Sequence, residues 1–83
     1  LAKELGPLGV NVNAIAPRLI DTGAMMRVNY PTQADLDAVL QKIPVRRFGN
    51  VRDVANLAVF LADKENSYIQ GQTILVDGGR TIA

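Results

Sequence analysis

The sequence predicts an α/β fold, a βαβ piece of an open parallel sheet. Three observations carry that reading. A β-rich stretch at residues 10–16 is followed by two helix-patterned segments, 32–43 and 50–63, and then by a second β-rich stretch at 73–76. A helical crossover of that kind joins parallel strands through a right-handed connection. Two parallel strands do not make a stable sheet by themselves, because parallel sheets are covered on both faces and contain more strands. The piece therefore wants further strands beside it.

The first element, "LAKELGPLG" (1–9), reads as the last turn and a half of a helix. Leu1 and Leu5 share a face, Gly6 suits a left-handed position after the helix, and Pro7 is expected to stop it. A helix that opens on its own end suggests a stretch of a longer chain. In "VNVNAIA" (10–16), Val10, Val12 and Ala14 alternate with Asn11 and Asn13 before Ile15 breaks the alternation. That pattern suits a strand buried on most sides, and Pro17 ends it. Residues 18–31 read as a loop, with Gly23 as a hinge and Pro31 as a stop.

The segment 32–43 opens with Thr32 as N-cap and Asp35 in the capping-box position, and Leu36, Val39, Leu40 and Ile43 form one apolar stripe before Pro44. After the basic connector "VRRFG" (45–49) comes the clearest helix, 50–63, with Asn50 as N-cap and Asp53 at the third helical position. Its apolar arc spans roughly 200°, twice what a surface helix of a monomer needs, and Phe60 lies outside even that. Such a helix packs on a sheet with one side and on something else with the other. "KENSYIQG" (64–71) is a polar turn region, and 73–76 is a short strand closed by an Asp-Gly-Gly turn.

Composition narrows the function classes. With 83 residues, 48% of them apolar, the sequence suits one small domain at most. A chain of that size buries only roughly 60–65% of its unfolded surface, so it needs a staple or a partner. Cysteine and histidine are both absent, which rules out a disulfide and leaves transition-metal binding poorly supported. The lack of cysteine fits a reducing compartment, and the cytoplasm is the expected location. Nine basic residues face eight acidic ones, so charge gives no reason to expect nucleic acid or an anionic membrane. The longest apolar stretch, 54–62, contains Asn56 and falls well short of the ~20 residues of a membrane span.

Four stretches, in order and with their spacing kept, resemble the C-terminal third of the short-chain dehydrogenases/reductases: "LAKELGPLGVNVNAIAP", "LIDT", "IPVRRFGNVRDVANLAVFLAD" and "SYIQGQTILVDGG". The resemblance covers essentially the whole sequence. It implies the C-terminal βαβ part of a Rossmann-type doubly wound parallel sheet that binds NAD or NADP, with ligands at the carboxyl ends of the strands. Residues 1–83 would then be the C-terminal portion of a single NAD(P)-binding domain whose upstream part is missing from this sequence.

The same resemblance implies roles for particular residues. The segment after Pro17 would form one wall of the nicotinamide pocket, with Ile20 offering backbone groups to the carboxamide and Thr22 its hydroxyl and amide. Rigid backbone groups supply a donor and an acceptor at little entropic cost. Without the flanking match, Thr22 reads rather as a loop cap than as a cofactor contact. Arg18 stands where the family usually has glycine, so its side chain either points to solvent or meets an anion of cofactor or substrate. Met25 and Met26 fall in the family's variable substrate-covering segment, and they line a substrate site or pack beneath a lid. Arg46, Arg47 and Arg52 with Lys42 form a basic cluster, read either as an anion-attracting surface or as a solvated face paired with aspartates. Asn13 and Asp77 read as structural, making turn and backbone hydrogen bonds.

The family's catalytic groups have no match in this stretch. Tyr30 and Tyr68 lack a lysine four residues on, where Ala34 and Gln72 stand, and no glycine-rich phosphate loop is present. By resemblance, these 83 residues alone would be inactive, and hydride transfer to a small-molecule carbonyl or alcohol would belong to the complete protein. The helix 50–63 and strand 73–76 would build a homotetramer or homodimer interface. Two other readings stay open: a truncated, non-catalytic piece that acts through subunit association, and an independent small binding module.

Overall fold

A computed structural model describes residues 1–82 and, within them, every side chain except those of Ala24 and Met25. The first helix, α1 (Ala2–Leu5), passes into a 3-10 turn over Gly6–Leu8. Gly6 is right-handed at φ −54°, and the left-handed position falls on Gly9 at φ +79°. Pro7 extends the helical path rather than stopping it, because a proline in a first turn lacks an N–H that would be unpaired there anyway.

The strand β1 occupies Ala14–Pro17, shorter and later than the alternation predicts. Side chains interrupt the ladder around residues 10–13, although the Val12 carbonyl still accepts from Gly71 N at 2.8 Å. Val12 N donates to Gln70 Oε1 at 2.9 Å, Asn13 Nδ2 donates to the Ile69 carbonyl at 3.0 Å, and Asn13 Oδ1 accepts from Gln72 N at 3.0 Å. Gly71, at φ +70°, is left-handed just before the regular pairing begins.

Residues 18–31 are more ordered than a loop reading allows. They hold a two-residue strand, β2 (Ile20–Asp21), and a helix, α2 (Ala24–Asn29). The next helix, α3 (Gln33–Leu40), carries the predicted capping box: Asp35 N donates to Thr32 Oγ1 and Thr32 N donates to Asp35 Oδ2. It stops three residues earlier than expected, and tighter bonds such as Ile43 N to the Leu40 carbonyl close its end. A second two-residue strand, β3 (Gly49–Asn50), runs directly into α4 (Val51–Ala62), whose Asn50–Asp53 capping box also matches expectation. A 3-10 turn (Lys64–Asn66), the strand β4 (Thr73–Val76) and a final 3-10 turn (Arg80–Ile82) complete the described chain.

The sheet is parallel as predicted. β1 pairs with β4 in the register Ala14↔Thr73 to Pro17↔Val76, and α4 crosses between them and packs on β1. A separate parallel pair joins β2 to β3 through Ile20↔Gly49 and Asp21↔Asn50.

Among the described residues only Ile43 is buried, at 1% exposure, while Val51, Val59 and Phe60 of α4 and Leu75 of β4 stay exposed. The radius of gyration is 16.0 Å, against about 12 Å for a compact domain of this length. Apolar faces of the sheet and of α4 are thus open. No helix among the described residues is long and apolar enough to cross a membrane.

Candidate functional site at the carboxyl ends of the parallel strands

In parallel sheets ligands gather at the carboxyl ends of the strands, where the chain must leave the sheet. Here both strands end together. Pro17 lies opposite Val76, and the next residue, Arg18, donates its N–H to the Val76 carbonyl at 3.1 Å. The chain then turns sharply: Leu19 is left-handed at φ +59°, an uncommon conformation for a residue with a branched side chain.

That turn delivers Ile20 into β2. Gly49 N donates to the Leu19 carbonyl at 3.1 Å, so the ladder-facing groups on this side belong to Leu19 and Asp21. Backbone groups alternate along a strand, which turns the N–H and C=O of Ile20 itself away from β3. Gly49 lets the two segments meet; a Cβ there would stand 2.6 Å from Ile20 Cδ1. Thr22 follows as an exposed residue, and Gly23 N donates to Asp21 Oδ1 at 2.8 Å, closing a short turn before α2.

The four predicted cofactor residues, Pro17, Arg18, Ile20 and Thr22, therefore fall within one six-residue stretch that leaves β1 at its carboxyl end. Of the predicted substrate pair, Met26 is half-buried on α2, and the side chain of Met25 lies outside the described residues.

Two cavities flank Arg18. The first, about 330 Å³, lies between the strand ends and is lined by Arg18, Arg47, Asp53, Asp77, Gly78 and Gly79 among others. Its acids are both committed. Asp53 Oδ2 accepts from Arg47 Nη1 at 2.9 Å and from Asn50 N at 2.8 Å. Those two bonds, the arginine first, hold its carboxyl below the ordinary aspartate range, and the same contact raises the Arg47 guanidinium. Asp77 accepts from the Thr81 hydroxyl and from the N–H groups of Gly79 and Thr81, which likewise lower it, the hydroxyl contributing most. The expected structural roles of Asn13 and Asp77 both hold.

The second cavity, about 440 Å³, is lined by Arg18, Leu19, Asn29, Tyr30, Asp35, Lys42 and Arg80 among others. Tyr30 is braced against Phe48, with ring centroids 5.7 Å apart. Tyr30 and Arg80 escaped the sequence reading as lining residues. Arg80 follows a strand that ends at the ligand edge, and that position was the available signal.

The basic cluster divides. Arg47 pairs with Asp53, as a solvated face predicts, but Arg46 donates from Nη1 to the carbonyls of Gln41 and Ile43 at 2.9 Å each. Among the described residues no group of His, Cys, Asp or Glu could hold a metal ion.

The family model for enoyl-(acyl carrier protein) reductase matches residues 1–81. The chain belongs to the short-chain dehydrogenases/reductases. It is 43% identical over 79 residues to a 3-oxoacyl-(acyl-carrier-protein) reductase of Buchnera aphidicola, covering 95% of this chain and 31% of that one. It is 40% identical over 83 residues to the 1-cyclohexenylcarbonyl-CoA reductase of Streptomyces collinus, covering 99% and 30%. Among solved structures it is similar to an Agrobacterium tumefaciens protein crystallised with bound NADP and proposed to be a 2-deoxy-D-gluconate 3-dehydrogenase. That match has a TM-score of 0.86 at 38% identity and covers 99% of this chain and 33% of the other. The parallel β1–β4 pair with α4 across it is thus a portion of the family's Rossmann-type α/β fold. The chain spans about a third of the length of the relatives it matches.

Proposed function

We propose that this chain is the C-terminal portion of one NAD(P)-binding domain, in an oxidoreductase that moves hydride between a nicotinamide and a carbonyl or alcohol group of a small molecule. One observation carries the reading: the loop from Pro17 to Thr22 leaves the parallel strands at their carboxyl ends with the N–H and C=O of Ile20 turned away from β3. A carboxamide asks for one acceptor and one donor at fixed places, and such a backbone pair supplies both. The exposed Thr22 adds a hydroxyl beside them.

The residues present therefore fit one edge of a nicotinamide. When bound, that group supplies or accepts the hydride. The chain's own part is to orient it and, through α2 and α3 with Met25 and Met26, to cover the substrate. Relatives that bear NADP or reduce carbonyl thioesters support the class, and the cytoplasm is the compartment such chemistry suggests. The open apolar residues of α4 and β4 support contact with the rest of the domain and a homodimer or homotetramer interface.

Titration of the complete protein with NADH and NADPH tests the reading. Thr22→Ala is expected to weaken binding and slow turnover several-fold. Wild-type affinity and rate in that variant overturn the assignment of this loop. A second reading, in which the chain acts only through association, is favoured by the exposure of Val59 and Phe60. Concentration-dependent assembly of a protein that ignores both nucleotides would select it.

A further inference from the structure

We propose that Arg18, Lys42 and Arg80 form a site for the carboxylate or phosphate group of the substrate; the inference rests on the oxidoreductase reading above and names its substrate class. The three cations come from separate places in the fold: the loop after β1, the turn after α3, and the 3-10 turn after β4. They converge on the walls of one cavity of about 440 Å³. Lys42 and Arg80 also line the neighbouring cavity with Arg46, where no carboxylate takes part.

Arg18 and Lys42 are exposed, so water screens much of their mutual repulsion, while Arg80 is half-buried. Among the described residues no ion pair reaches these three; the two present join Arg47 to Asp53 and the Leu1 amino group to Glu4. The single acid lining the cavity, Asp35, sets one negative charge against three positive ones, and its Oδ2 accepts the Thr32 N–H in the α3 capping box. Asp77, at the cavity between the strand ends, is held by Gly79 and Thr81.

The described lining is therefore net positive and suits an external anion. Arg80 is half-buried, which makes an unpaired charge more costly than at the surface. Guanidinium groups match carboxylate and phosphate oxygens two at a time, and a lysine adds a mobile point charge. Tyr30, on a ring steadied by Phe48, lines the same cavity. Arg18 connects this site to the proposed cofactor wall, standing two residues before Ile20 on the same loop. Arginine in place of the glycine usual in the family thus acquires a purpose: it faces the charged end of a substrate such as a keto acid or a phosphorylated ketone.

Two measurements on the complete protein test this. The first titrates inorganic phosphate and malonate, at constant ionic strength set with chloride, and follows thermal stability. A saturable rise in Tm is expected, with apparent affinity falling about tenfold in Lys42→Gln and in Arg80→Gln and retained in Lys42→Arg. The stronger of the two probes separates phosphate from carboxylate. Shifts no larger than chloride gives, or shifts unaltered in both glutamine variants, overturn the site. The second compares kcat/KM for a keto acid and its methyl ester, a ratio expected to fall in the glutamine variants. Saturable anion binding without hydride transfer keeps the site and removes the oxidoreductase reading. Hydride transfer with neither binding nor the ratio changed does the reverse.

Discussion

Asp53 and Arg47 meet at 2.9 Å, and the same Asp53 oxygen accepts the Asn50 N–H that begins α4. One carboxylate oxygen therefore ties the basic connector to the helix cap. It also fixes the strand β3, because Asn50 is both the cap and the partner of Asp21. Asp53→Ala is expected to lower Tm and to raise the NADPH dissociation constant, since β3 is what β2 leans on. Arg47→Ala keeps the cap and should do less of both. Equal effects of the two variants would show that the cap has no share in holding the loop.

Acid should loosen the strand ends. Asp53 and Asp77 are both held below the ordinary aspartate range, so the folded chain releases their protons more readily than the unfolded one. A depressed folded pKa contributes stability that is complete above the unfolded value of about 3.9 and is lost as pH falls through the folded value. Urea midpoints should therefore decline below about pH 4. Asp77→Asn should make the decline shallower, and parallel curves for the two proteins would refute the role given to Asp77.

The turn after β4 depends on glycine for two reasons at once. Gly78 is left-handed at φ +62°, and a Cβ there would lie 2.7 Å from Val45 Cγ2 and 2.8 Å from Ile43 Cγ2. Ile43 is the buried residue of the described chain, so it has nowhere to move. Left-handed backbone costs an L-residue about 1–2 kcal/mol, and overpacking adds about 1–3 kcal/mol. Gly78→Ala is expected to destabilise by at least about 2 kcal/mol in denaturant unfolding. A smaller loss would mean that the 43–45 segment yields.

Much of this was legible in the sequence, and the physical reasons differ by element. The starts of α3 and α4 were readable because a capping box is a local signal: Thr32 with Asp35 and Asn50 with Asp53 need no distant partner. β4 was readable because β-branched residues lie between turn residues. The start of β1 was not, since Gln70 and Asn13 displaced the ladder through contacts nearly sixty residues apart in sequence. β2 and β3 are two residues each and hold no periodicity at all; only their mutual pairing makes them strands. The loop proposed to meet the cofactor could be located by its neighbours. The cavity with Arg18, Lys42 and Arg80 could not, because its walls come from three separated places.

Arg46 offers a backbone test that separates strain from capping. It is left-handed at φ +60°, and its guanidinium holds the carbonyls of Gln41 and Ile43. Arg46→Ala and Arg46→Gly both lose those bonds, but only glycine escapes the strain. The glycine variant should be the more stable of the two by about 1 kcal/mol. Glycine's larger unfolded-state entropy works against this difference. An alanine variant of equal or greater stability would place the residue in a relaxed conformation in solution.

The contact between Gly49 and Ile20 links packing to the proposed cofactor wall. A Cβ at residue 49 would stand 2.6 Å from Ile20 Cδ1, which must then swing aside and drag β2 with it. Gly49→Ala should cost about 1 kcal/mol of stability and weaken NADPH binding several-fold. Ile20→Val removes the atom that collides, while leaving the backbone groups that would meet the carboxamide. The double variant Ile20→Val, Gly49→Ala should therefore bind NADPH better than Gly49→Ala alone, and its stability loss should fall short of the sum of the single losses. Strict additivity in both measurements would mean that Gly49 acts through its own backbone freedom and not through Ile20, and β2 would lose its place as the support of the loop.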